Sequence, residues 1–83
     1  KIVNGVYRAQ DNLRLRETGS TSGKAITTMQ ADTYVRILSL GKEETIDGIT
    51  DNWVKVELLW GAKNLVGDLI MGETGWCFGG YLK

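Results

Sequence analysis

The sequence predicts an all-β domain: a small, partly open barrel of five to six short antiparallel strands. Three observations carry that prediction. The dominant hydrophobic period is two, as in Leu13-Arg14-Leu15-Arg16 and Trp53-Val54-Lys55-Val56-Glu57-Leu58. No window sustains apolar residues at the i, i+3, i+4, i+7 spacing, so no α-helix beyond a single turn is expected. Proline is absent, and the glycines fall mostly between strand candidates. With 83 residues the chain has room for one core, so residues 1–83 are read as a single domain.

Residues 1–9 give a short opening strand, with Asn4-Gly5 as a turn. Asp11-Asn12 breaks the chain before Leu13–Arg16, where both leucines share one face and both arginines the other. Residues 17–24 are small or polar and form a surface loop. They show no Gly-Lys-Ser/Thr pattern and no following helix, which argues against a phosphate cradle. Ala25 to Met29 is a short strand anchored by Ile26 and Met29, and Gln30-Ala31-Asp32 turns the chain. In residues 33–40 Val35 and Ile37 point inward, while Tyr34 and Arg36 share the outer face.

Gly41 to Asn52 reads as a polar connection carrying Glu43, Glu44, Asp47 and Asp51. No apolar wall is evident to raise a carboxyl pKa, and the calcium-loop pattern is not met, so the stretch is expected to be a solvated acidic loop. Beyond it, Val54, Val56 and Leu58 go to the core, and Trp53, Lys55 and Glu57 go outward. An outward tryptophan at a strand start has something to cover or to bind. Residues 59–73 read as an extended β-hairpin arm, because their apolar side chains outnumber what a small barrel can bury. Gly75 to Leu82 then closes the barrel, with Cys77 and Leu82 in the core and Phe78 and Tyr81 at the rim. Trp76 fits either side.

Charge and composition exclude several chemistries. Formal net charge is zero, so no bulk attraction to nucleic acid is expected. The halves are uneven: residues 1–40 sum to +3 and residues 41–83 to −3, an imbalance able to orient a zwitterionic ligand. There is no histidine and one cysteine, which leaves neither the usual zinc ligands nor an imidazole to activate Cys77. No cofactor, no metal and no catalytic residue is expected. No apolar run approaches the ~20 residues of a membrane span, so direct membrane insertion is not expected either. The chain starts at Lys1 rather than Met and is read as a fragment of a larger protein.

Six stretches occur in an order that resembles a known family. They are Leu13-Arg14-Leu15-Arg16, the Gly19–Ser22 loop, Ile26 with Met29, Val35-Arg36-Ile37-Leu38, Asn52-Trp53-Val54-Lys55-Val56, and Gly75-Trp76-Cys77 with Tyr81-Leu82. Together they resemble the bacterial SH3-like domains of cell-envelope proteins, over nearly the whole chain from about Gly5. Cys77 stands where that family prefers valine, and residues 59–73 exceed its usual short turn. The resemblance implies an SH3-like barrel and a non-catalytic, extracytoplasmic binding module that recognises a cell-wall peptide or glycan, or another protein domain. By position it implies a ligand surface at Trp53 and Tyr81, with Phe78 as a rim neighbour; Tyr34, on the outer face of its strand, is a further ligand-binding candidate. The alternative is a protein-interaction or spacer module working through the arm, by way of Trp60, Leu65, Val66, Leu69, Ile70 and Met71, with oligomerisation through the same surface.

Overall fold

Six strands form one sheet in this structure, a computed structural model that describes all 83 residues. They are β1 (Val6–Arg8), β2 (Leu13–Arg16), β3 (Ala25–Met29), β4 (Tyr34–Ile46), β5 (Ile49–Leu58) and β6 (Thr74–Phe78), followed by a 3₁₀ turn at Gly79–Tyr81. Their order across the sheet is β1-β4-β5-β6-β2-β3, and every neighbouring pair is antiparallel. The chain end returns to β1. Ala9 bridges Leu82, and Arg8 and Lys83 exchange backbone hydrogen bonds of 2.9 and 2.8 Å. The sheet therefore curls into a half-barrel, with the free edge of β1 covered by the last residues.

The period-two pattern does locate the core. Leu15, Val35, Ile37, Val54, Val56 and Cys77 are all fully buried, contributed by β2, β4, β5 and β6. Register explains why they meet: Ile37 lies opposite Val56, and Val54 opposite Cys77. Met29 reaches this core but Ile26 does not, being 43% exposed on the edge strand β3. The opening strand is also shorter than expected, since Ile2 and Val3 precede β1 and are exposed.

Two expectations about the connections are corrected. The stretch 41–52 is not a loop. It is the distal half of the β4–β5 hairpin, paired Glu43 to Asn52, Glu44 to Asp51, Thr45 to Thr50 and Ile46 to Ile49. Asp47 and Gly48 both take positive φ, 53° and 76°, as a two-residue type I′ turn requires. The strands it joins are therefore drawn into register in spite of their charged side chains. Conversely, residues 59–73 form no projecting β-hairpin arm. A single Lys63–Leu69 bridge, the Ile70 N–H to Ala62 carbonyl bond and turn bonds such as Asn64 N–H to the Asp68 carbonyl and Gly67 N–H to the Asn64 carbonyl hold the segment together, and a Met29–Asn64 bridge ties it to β3. The Asn64 side chain accepts the N–H groups of Val66 and Asp68, which bends the chain into a compact loop. Within it Ile70 is buried with Ala62 in the core, while Val66 is 82% exposed.

Trp76, which fits either side on sequence, lies half-buried on the outer face of the sheet. Its ring passes over two residues without a side chain: a Cβ at Gly41 would stand 2.7 Å from Trp76 Cζ3, and one at Gly19 would stand 2.9 Å from Cε3. Gly41 also sits at the register shift of β4, where the Asn52 side chain donates to its carbonyl at 3.0 Å. A Gly41→Ala variant must move either the indole or the Trp53 backbone carbonyl, 3.1 Å from the new methyl. Urea denaturation is expected to show a loss of about 1–3 kcal/mol, with a changed Trp76 fluorescence maximum in the native state.

Candidate functional site

Alternation along β5 and β6 puts Val54 and Cys77 on the core face and Trp53, Trp76 and Phe78 on the other. The outward direction expected for Trp53 is therefore right, but the exposure is not. Trp53 is 3% and Phe78 2% exposed, although neither belongs to the main core cluster. The outer face is covered from three sides. The loop at Gly19 lies against the Trp53 Cβ, the distal hairpin brings Glu44 to accept the Trp53 Nε1–H at 2.7 Å, and the 3₁₀ turn sets Tyr81 edge-on against Phe78.

The result is a continuous aromatic row. Trp53 and Phe78 have ring centroids 5.8 Å apart at 60°, and Phe78 and Tyr81 5.2 Å apart at 73°. Both geometries are the tilted or edge-to-face kind that aromatic rings favour. Along this row runs a groove of about 310 Å³, lined by Leu13, Arg14, Arg16, Thr21 and Ile46 together with the three rings. Trp53 and Phe78 form its floor, and Tyr81, half-buried, its rim.

Three of the four expected ligand contacts are thus brought together. Tyr34 is not among them. It lies on the opposite side of the hairpin next to Trp60, at 5.5 Å and 64°, with the Arg8 guanidinium over its ring. Its place in β4, opposite Arg8 of β1, sends it away from the groove. Of the residues expected to meet a partner, Trp60, Leu65, Val66, Leu69 and Met71 are exposed. Ile70 is a core residue instead.

The groove's basic wall is not legible in the sequence. Leu13–Arg16 reads there as a half-buried strand, and its outward arginines carry no signal of what they face until β2 is seen to pair β6 through Arg16 and Trp76. The Arg16 Nη1–H group donates to the Gly23 carbonyl at 2.8 Å, which commits that guanidinium to shaping the 17–24 loop. Arg14 is exposed and takes part in none of the ion pairs of the structure.

Acids of the hairpin hold the ring side of the groove. The Tyr81 hydroxyl donates to Asp47 Oδ2, and that bond, with slight desolvation and the nearby carboxylate charge, raises the phenol above its ordinary 10.0. Burial pushes the Cys77 thiol up to about 12, so behind the groove it acts as a small apolar core group rather than a nucleophile. No cluster of three or more histidine, cysteine, aspartate or glutamate side chains is placed to hold a metal ion.

A six-stranded antiparallel half-barrel closed by a 3₁₀ turn is an SH3-like fold, here with an open groove beside an aromatic row. The bacterial SH3 domain family matches residues 11–83, and the chain belongs to that family. Its members are generally binding modules, often associated with the cell wall. No curated protein and no solved structure matches the chain.

The Tyr81–Asp47 bond yields a pH prediction. A phenol whose folded pKa is raised adds stability that is fully present below its unfolded value of 10.0 and is lost as pH rises through the folded value. Asp47→Asn is expected to return the Tyr81 titration toward 10.0, as followed by phenolate absorbance. An unchanged titration would show that the carboxylate does not hold the hydroxyl.

Proposed function

We propose that the domain is a non-catalytic targeting module of an extracytoplasmic bacterial protein, holding an extended segment of peptidoglycan peptide in the groove along Trp53, Phe78 and Tyr81. One observation carries the reading: the rings of Trp53, Phe78 and Tyr81 pack in a row along an open groove. An extended chain laid along such a row contacts successive rings, the mode by which SH3-type grooves take peptides. Trp53 and Phe78 contribute a fixed floor, and Tyr81 offers most of the accessible ring surface. The expected affinity of one module is weak, and attachment to a neighbouring domain raises it through effective concentration.

The test is an NMR titration with soluble peptidoglycan fragments. Shifts are expected at Trp53, Phe78, Tyr81 and Arg14, with Tyr34 unmoved. If Trp53, Phe78 and Tyr81 stay in place at millimolar ligand, the wall-binding reading falls.

A second reading has its own support. Trp60, Leu65, Val66, Leu69 and Met71 expose apolar side chains from one loop, more than a solvated connection needs. As a protein-contact surface this loop would act independently of the groove. If the loop pairs two copies of the chain, the parent is expected to self-associate in sedimentation, and Val66→Lys with Leu69→Lys to lower that association while leaving the groove titration unchanged. Identical sedimentation of variant and parent would remove this reading.

A further inference from the structure

The groove does not end at Tyr81. A second hollow of about 340 Å³ lies beyond it, lined by Gln10, Asp11, Asn12, Ile49 and Tyr81. Asn12 and Tyr81 line both spaces, so the two adjoin across these side chains. The 3₁₀ turn that carries Tyr81 is anchored on this side, because Gln10 N–H donates to the Tyr81 carbonyl at 2.9 Å.

The charges lining the two compartments differ in sign, and most nearby charges are already engaged. Arg16 is bound to the Gly23 carbonyl, Glu44 to the Trp53 indole, Asp47 to Tyr81, and Asp51 to Lys1 at 3.1 Å and to Asn52 N–H. Arg14 in the first compartment and Asp11 in the second are exposed and have no ionic partner. Asp11 uses one carboxylate oxygen to accept the Asn12 N–H at 2.8 Å, which fixes its position and leaves its charge uncompensated.

We propose that the joined compartments bind an extended peptide in one direction, its free α-carboxylate at Arg14, its amino end at Asp11, and its backbone crossing Tyr81. The inference rests on the groove being the binding surface, as proposed above. Each charge has a complement in this orientation. The reverse orientation sets an ammonium against a guanidinium and a carboxylate against a carboxylate, and like charges in apposition disfavour it. A guanidinium also suits a carboxylate geometrically, since its parallel N–H groups match the two oxygens.

The experiment uses a peptidoglycan stem tetrapeptide released from the glycan, so that its amino end is free, in three forms: unmodified, amidated at the C-terminal carboxyl, and acetylated at the amino end. Affinities are read by NMR titration of the parent domain, Arg14→Gln and Asp11→Asn, the latter keeping the oxygen that accepts the Asn12 N–H. Both pairs are solvent-exposed, so each capping step is expected to weaken binding by roughly two- to fivefold in the parent. Amidation should cost nothing further in Arg14→Gln, acetylation nothing further in Asp11→Asn, and both penalties should shrink in high salt. If groove resonances shift but the caps cost the same in parent and variants, the directional inference is overturned and the groove reading stands. It is overturned equally if the two penalties map to the opposite residues. If no groove resonance shifts with any form, both fall together.

Discussion

The pairing of β4 with β5 beyond the core is the constraint on which the outer half of the molecule depends. Near the core the pairing is secured by packing, as where Val35 faces Leu58 and Ile37 faces Val56. Past Gly41 no core side chain supports it. The type I′ turn at Asp47-Gly48 and a 2.7 Å hydrogen bond between the Thr45 and Thr50 hydroxyls carry it instead. That distal half delivers Glu44 to the Trp53 indole and Asp47 to the Tyr81 hydroxyl, so hairpin and aromatic row stabilise each other. Opening the hairpin would uncover two large rings in water and release the rim of the groove.

This mutual dependence also explains which parts of the fold are legible in the sequence. Strict alternation in Leu13–Arg16 and Trp53–Leu58 locates the core, because a half-buried strand has only two faces to choose between. The distal hairpin escapes that pattern because its alternation is between charged and polar residues. Its signal is local: Asp47-Gly48 flanked by Ile46 and Ile49 is a hairpin turn. In residues 59–73 the pattern misleads in the other direction. A plentiful supply of apolar residues suggests strands, whereas Asn64 capping its own loop and Ile70 turning inward favour a folded connection.

The site is legible in its members more than in its form. Trp53, Phe78 and Tyr81 do assemble, but alternation shows only that a residue points away from the core, not whether a second layer lies over it. Here that layer comes from residues distant in sequence: Gly19, Glu44 and the 3₁₀ turn. Tyr34 lies outside the groove because it opens β4 beside β1 and the Leu58 end of β5, away from Trp53 and against Trp60. No periodicity within a single strand contains that information.

The covered row changes how such a groove can recognise a ligand. Fully exposed rings adapt to many chains but lose rotamer freedom when they bind. Trp53, held by Glu44 and packed on Phe78, has already lost that freedom in the folded domain, so little ordering remains to oppose binding. The cost is area, since a ring that is 3% exposed offers little surface to a ligand. If the groove binds as proposed, polar selection would do more of the discrimination, and the chain's zero net charge would make that selection local rather than a matter of steering. Under the proposed peptide reading, two uncompensated charges of opposite sign on either side of one tyrosine would be a sufficient means, because they would distinguish the two directions of a peptide even where its apolar contacts are nearly the same.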